Sequence, residues 1–373
     1  MTTKMMMMIS KKPNFGKAEQ AAFELLKINN VQELPVKVKK LAKNFSNLKI
    51  KTYSWFAKTH DMTLEEVCEF ANSDEGCCWY IKSKNKYIIL YNDKVENVGR
   101  IRWTIAHELG HFMLKHNEMS DKSVYARNSL TEEEYEVFEK EANCFARNLL
   151  APPQIVYVLR PQSPHVVSDL FDISLEAATN VFTFLNNGLQ RGISYSRNHT
   201  ILRIFESFIF KYKHAKTCNN CSYYFVGKDT HYCPICGDQS FTKGEVDNMI
   251  YSKIELNEHS RAIQCPHCTN EHIVGDYCQV CGKYLVNKCS GYSIEQLHGQ
   301  MQEPWHNLSN SCGEELSGDA RFCHKCGSTS TFLESGTLTQ WEEEKFPERE
   351  GQRHLQAVGS NNFVNISDDD LPF

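Results

Sequence analysis

The chain has 373 residues, 41% of them hydrophobic, with 46 acidic against 41 basic residues and a formal net charge of −5. This length suffices for two or more domains, and the charge balance carries no basic excess that would declare nucleic-acid binding. No apolar run approaches the ~20 residues needed to span a membrane.

The apolar run from Met5 to Ile9 is too short for a signal-peptide core. The sixteen cysteines, several in C-x-x-C pairs, therefore point to metal thiolates in a reducing, cytoplasmic setting rather than to disulfides. Residues 78–82 and 86–92, rich in Ile, Tyr and Trp around a polar turn, read as a hairpin. The next element is a helix carrying Ile101, Ile105, Ala106, Leu109, Phe112 and Met113 at helical spacing. Within it His107-Glu108-Leu109-Gly110-His111 forms H-E-x-x-H. On a helix both histidines lie one turn apart on one face and can reach one metal ion. Glu108 beside them is the candidate catalytic residue, placed to polarise a water. Gly110 is small where a second element could approach. His116 is not the third histidine of the longer zinc pattern, since Leu114 stands at its glycine position; it reads as an exposed histidine at the negative end of the helix. Tyr125 and Arg127, which follow, are candidates to stabilise developing charge, or plain loop surface.

A second helix is expected over residues 131–150. Thr131 and Glu134 make a capping-box start, and Pro152-Pro153 a stop. Glu139, Ala142, Asn143 and Ala146 share one face, so the helix can pack closely on the first. Glu139 is the candidate third zinc ligand. Glu141 is its rival, although it points about 200° away around the helix. Asn143 is a candidate hydrogen-bond partner for a ligand histidine. Glu132, Glu133 and Glu136 read as a solvated face. Two histidines and one carboxylate would leave zinc an open position, the arrangement of a hydrolase.

The run Arg100-Ile101-Arg102-Trp103-Thr104-Ile105-Ala106-His107-Glu108-Leu109-Gly110-His111, followed by Glu139-Lys140-Glu141-Ala142-Asn143-Cys144-Phe145-Ala146-Arg147-Asn148-Leu149-Leu150-Ala151-Pro152, resembles the ImmA/IrrE family of metallopeptidases. Residues 34–42 also resemble that family's leading helix, and the likeness spans roughly residues 15–190. The resemblance implies a zinc-dependent endopeptidase of bacteria, phages and mobile elements that cleaves a repressor. The family often has Met where this chain has Ala151, and the amino-terminal helix-turn-helix of some members is not evident here. Residues 165–190 read as two short helices broken at Asp172-Ile173-Ser174. This outline resembles a helix-turn-helix but lacks a basic recognition face, so it is expected to pack on the peptidase core.

Beyond Thr217 the composition changes. Cys218-x2-Cys221 precedes Cys233-x2-Cys236, and Cys265-x2-Cys268 precedes Cys278-x2-Cys281, with gaps of eleven and nine residues. Each pair of knuckles can hold one tetrahedral zinc, and other pairings among the four remain open. Cys312, Cys323 and Cys326 are three-quarters of a third site. Ser309 stands where its fourth cysteine would be, with His306 or Cys289 as substitutes and a metal-free module as the alternative. Cys68, Cys77, Cys78 and Cys144 read as ordinary core or surface thiols. Tyr223, Tyr224, Phe225 and Tyr232 could stack on single-stranded bases or form the core of a ribbon.

From residue 336 onward the chain is polar and acidic, as expected of a flexible tether. It ends Asp368-Asp369-Asp370-Leu371-Pro372-Phe373. That ending resembles the acidic tip of bacterial single-stranded-DNA-binding proteins. The resemblance implies docking of the terminal Phe and carboxylate into a partner's apolar, basic-rimmed pocket. The expected architecture is thus α+β: a zincin-like peptidase domain over 1–200, two zinc-ribbon modules over 210–290, a degenerate ribbon over 300–335 and a tail over 336–373. Expected cofactors are one catalytic zinc and two or three structural zincs. Expected partners are a protein substrate such as a transcriptional repressor, proteins that read the acidic tip, and nucleic acid through the ribbons, but no membrane. The alternative to an enzyme is a non-catalytic zinc-binding adaptor acting on repair or replication proteins.

Overall fold

A computed structural model describes residues 12–119, 132–293 and 311–347. The chain divides into two units, 1–210 and 211–373.

The first unit opens with α1 (Phe15–Ile28), a helix not anticipated from the sequence, which buries Ala18, Ala22, Leu25 and Leu26. The Asn14 side chain caps it by accepting the Lys17 N–H at 2.9 Å. The leading helix expected over 34–42 is helical only as α2 (Val38–Ala42), because Pro35 biases its neighbourhood towards extended backbone. The chain continues through β1 (Leu48–Thr52), α3 (Tyr53–His60), α4 (Leu64–Ala71), β2 (Gly76–Ile81) and β3 (Lys86–Tyr91). In the sheet, β3 is central, parallel to β1 and antiparallel to β2. The expected hairpin is β2 and β3, with Gly76 opposite Tyr91 and Ile81 opposite Lys86. Ile89 and Leu90 of β3 are completely buried, as a central strand requires.

Helix α5 (Val98–Leu114) lies on this sheet and bears the H-E-x-x-H residues. Asn97 caps its start by accepting the Arg100 N–H, and Lys115 ends it in the left-handed conformation at φ 61°. The next residues form a short turn of helix, α6 (His116–Met119). Helix α7 (Glu132–Leu150) packs along α5 and α1. At the crossing, a Cβ on Gly110 would lie 3.2 Å from the Ala142 Cα and 3.1 Å from Phe145 Cδ1. Glycine there sets the helix spacing. Phe145 and Leu149 are fully buried against it, each burial worth about 2 kcal/mol. The capping pair proposed for this helix, Thr131 with Glu134, lies outside the described residues or side chains.

Pro152 ends α7, and α8 (Pro153–Leu159), α9 (Pro164–Phe171) and α10 (Leu175–Gln190) follow. The break between α9 and α10 falls at Asp172, at φ 51°. That turn sits directly on Gly99 of α5, where a Cβ would come within 2.5 Å of Ile173 and Ser174 backbone atoms. Arg102 clasps it through Asp172 at 2.6 Å and Val36 O at 2.8 Å. The α9–α10 pair is therefore core packing and not a projecting recognition element. The unit closes with α11 (Thr200–Ile204), and α12 (Glu206–His214) spans the division between units.

The second unit begins with an antiparallel sheet of β4 (Ala215–Cys218), β5 (Tyr224–Val226) and β6 (Phe241–Lys243) in the order β5-β4-β6. Its apolar core is split into small clusters: Ile235, Tyr251, Phe322, Leu333 and Trp341 around the first cysteine group, and Ala262, Leu285, Phe332 and Leu338 around the second. Such a core must be supplemented by other ties. Two further elements are α13 (Thr331–Glu334) and α14 (Trp341–Lys345). Here the structure departs from the tether expected from residue 336. Leu338 and Trp341 are buried. The wholly buried Arg321 pairs with Glu344 and donates Nε–H to Thr339 O at 2.6 Å. Two apolar anchors in an otherwise polar stretch are enough to dock it. The terminal tip, Asp368 to Phe373, lies outside the described residues. Among the described residues no helix is long and apolar enough to cross a membrane.

Candidate metal centres and the cleft

The two histidines on α5 and Glu139 on α7 converge. His107 Nε2 and His111 Nε2 are 3.0 Å apart. Glu139 Oε2 lies 3.2 Å from the first and Oε1 3.5 Å from the second. The outer ring nitrogens have partners of their own. His107 Nδ1 is 3.2 Å from Asn143 Oδ1, so the asparagine expected to orient a histidine lies against one. His111 Nδ1 is 3.0 Å from His116 Nδ1, and His116 Nε2 is 3.0 Å from Glu141 Oε2.

These contacts fix the tautomers. A carboxylate only accepts, so His116 carries its proton on Nε2 and donates it to Glu141. Its Nδ1 is then an acceptor, and His111 donates Nδ1–H to it. Asn143 Oδ1 likewise accepts Nδ1–H from His107. Both Nε2 lone pairs therefore face one point together with the Glu139 carboxylate. Three electron-rich donors cannot satisfy one another, but they suit a cation, and two imidazoles with one carboxylate is a zinc-type set. His107, His111 and Glu139 would hold it. Burial pushes the His111 imidazole down to about 3, which keeps it neutral.

His116 corrects the sequence reading. It is 3% exposed and stacks on Phe138 with ring centroids 4.3 Å apart. The left-handed Lys115 turns the chain back, so a histidine past the helix end folds under His111 rather than into solvent. Glu141, the rival ligand, is the anchor of this relay: its Oε1 accepts the Asn14 N–H at 2.6 Å, which bolts α1 to α7. Tyr125 and Arg127 lie outside the described residues.

Glu108 is 5% exposed and opens, with His107 and Glu139, onto a cleft of ≈ 960 Å³. Gly76 of β2 backs it. A Cβ there would strike Thr104 Cγ2 at 2.6 Å and lie 3.7 Å from Glu108 Cγ, so glycine keeps space beside the carboxylate. Gly76 and Arg147, which also line the cleft, are not among the sequence-derived candidates. The spacing Glu139, Asn143, Arg147, one turn apart each time, was the available signal.

In the second unit the cysteines form three sets of four thiols: Cys218, Cys221, Cys233 and Cys236; Cys265, Cys268, Cys278 and Cys281; Cys289, Cys312, Cys323 and Cys326. Within each set the sulfurs lie within 4.8 Å of one another. Nearest pairs are 3.5 Å apart. That is far beyond a disulfide bond and close to the edge of a tetrahedral ZnS4 site, about 3.8 Å. The third set is complete, with Cys289 as its fourth thiol, so this module starts earlier than residue 300. His306 and Ser309 lie outside the described residues. Long sequence separation hid Cys289: it reaches its partners only because residues 287–290 bridge to 315 and 330.

The first and third sets interlock with local two-fold symmetry. His231 and Tyr232 donate backbone N–H to His324 O at 2.8 and 3.0 Å, while Arg321 and Phe322 donate to Pro234 O at 2.7 and 2.9 Å. The Phe322 ring covers Gly237 and the Tyr232 ring covers Gly327, both glycines at positive φ. Tyr232 is thus ribbon core. Tyr223 and Phe225 are stacked on one another, with ring centroids 6.0 Å apart, and the Tyr223 hydroxyl donates to Asp319.

No curated protein matches the chain. Residues 65–181, from α4 into α10, match the family model Peptidase_M78, described as the IrrE N-terminal-like domain. This span contains α5, α7 and all three converging donors, so the first unit carries a domain similar to the ImmA/IrrE metallopeptidases, and the second unit carries cysteine clusters of zinc-ribbon type.

Proposed function

We propose that the protein is a zinc-dependent endopeptidase that cleaves one specific regulatory protein, such as the repressor of a phage or mobile element. The observation that carries this is the convergence of two imidazole lone pairs and a carboxylate beside buried Glu108, at the wall of an open cleft. A non-catalytic adaptor has no need of a carboxylate next to such a donor set.

His107, His111 and Glu139 would hold the zinc, with Asn143 and the His116–Glu141 pair fixing the two rings. Bound zinc would supply Lewis acidity to the scissile carbonyl. Glu108 would take the proton of the attacking water and pass it to the leaving amine. Strand β2 is an edge of the sheet, and an extended substrate could pair with it. Asn117 already donates to Cys78 O at 3.0 Å, which leaves the Gly76 end beside the cleft as the place for that pairing. The three cysteine sets would each hold a structural zinc, one more than the minimum expected. The ribbons and the acidic tip would choose the target in the cytoplasm, the tip by engaging proteins that read such endings. Protein recognition suits the ribbons better than nucleic acid, because their aromatic side chains are largely spent on packing.

The test is a proteome-wide search for new amino termini in cells expressing the protein or its Glu108→Gln variant. Termini that appear with the first and are absent with the second support the reading. Identical termini with both contradict it.

A further inference from the structure

Three cations line the cleft. Arg100 is paired with Glu75, and Lys140 with Glu136 at 2.7 Å. Arg147 differs. Among the described residues it has no carboxylate within ion-pair distance. Its Nε is buried without a hydrogen-bond acceptor, and its Nη2 meets only the Cys144 sulfur, at 3.7 Å. The guanidinium carbon sits over the ring of Phe184, 3.7 Å from the centroid. Glu19, which also lines the cleft, accepts from Gln154 Nε2 at 2.9 Å. The side chain is half-buried, so a guanidinium held this way keeps a donor edge unused and ready for a planar acceptor.

From this we infer that Arg147 is a substrate-recognition residue, taking a carboxylate of the bound peptide. The inference rests on the peptidase reading above and names its substrate class. Arg147 lies two helical turns from Glu139 on the same stripe of α7, about 12 Å along the axis. That is roughly three to four residues of extended chain. The substrate therefore carries its carboxylate that far from the scissile bond, where a bidentate pair with the guanidinium adds both affinity and register. An Asp or Glu side chain and a free α-carboxylate offer the same chemistry.

The full-length, zinc-loaded Glu108→Gln protein is incubated with a random peptide library in two forms, amidated and free at the carboxy terminus, and the retained peptides are sequenced. Enrichment of Asp or Glu at one position in the amidated form assigns a side chain. Enrichment confined to free-ended peptides assigns the terminus. In either case Arg147→Met, which keeps the packing on Phe184, lowers the affinity of the selected peptides about tenfold or more. Arg147→Glu shifts the enrichment to Lys and Arg. Retention without a carboxylate preference, no retention at all, or a preference unchanged in Arg147→Met overturns the inference. Incubating the selected peptides with the protein bearing Glu108 reports on the peptidase reading separately: peptides that are selected through Arg147 but not cut contradict that reading and leave the subsite standing.

Discussion

Replacing His116 with Phe separates two functions that its ring performs. Phenylalanine preserves the stack on Phe138 but removes both hydrogen bonds, to His111 Nδ1 and to Glu141 Oε2, each 3.0 Å long. The Glu141 carboxylate, 7% exposed, would then keep only the Asn14 N–H. Losing a hydrogen bond to a buried charge costs about 2–3 kcal/mol, read as a lower urea midpoint for the first unit. Independently, His111 loses the acceptor that fixes its tautomer. Loss of such an outer partner typically lowers metal affinity 10–100-fold, about 1.4–2.7 kcal/mol. The double variant His116→Phe/Glu141→Leu distinguishes the two effects. It removes the stranded carboxylate, so stability recovers by about 1–2 kcal/mol, whereas zinc affinity stays low. Urea denaturation gives the first quantity. Competition with a chromophoric chelator gives the second, with the zinc of the cysteine sets as an internal reference. Unchanged zinc affinity in His116→Phe, or a double variant as unstable as the single, would refute the relay.

Two further outcomes follow from packing. Gly110→Ala places a methyl 3.1–3.2 Å from Phe145 and the Ala142 backbone; forcing α5 from α7 should cost about 1–3 kcal/mol, and an unaltered melting temperature would show that the crossing is looser than described. Phe322→Ala strips the ring that covers Gly237, so zinc should leave the Cys218 set faster although Phe322 adjoins the Cys323 knuckle. Chelator-driven release that changes only in the third set would contradict the interlock.

The helices that carry the candidate metal donors are legible from apolar periodicity and, for α7, from the proline stop. The expected roles of His107, Glu108, His111, Glu139 and Asn143 rest on spacing within two separate helices, and the fold brings these residues together. His116 and Glu141 were not legible in the same way. Their pairing depends on a left-handed residue past the end of α5 and on the contact of α7 with α1, neither of which leaves a periodic trace. Cys289 stands apart from its partners in the sequence, the nearest of which lies more than twenty residues downstream. The tether was drawn too early for a compositional reason: Leu338 and Trp341 are two apolar residues in a polar run, and two suffice on a unit whose core is this small. The spacing Glu139, Asn143, Arg147 puts Arg147 on the same stripe of α7, but that it has no carboxylate partner among the described residues is a property of the fold.

The peptidase reading requires a histidine–carboxylate zinc site distinct from the thiolate sites. Elemental analysis of the protein and of a His107→Ala/His111→Ala variant, both verified as folded by circular dichroism, tests it most directly. Four zinc per chain falling to three, with the thiolate-bound metal retained, is the predicted result. An unchanged count in the folded variant would mean that the paired histidines of α5 hold no metal, and the peptidase account would fail with them.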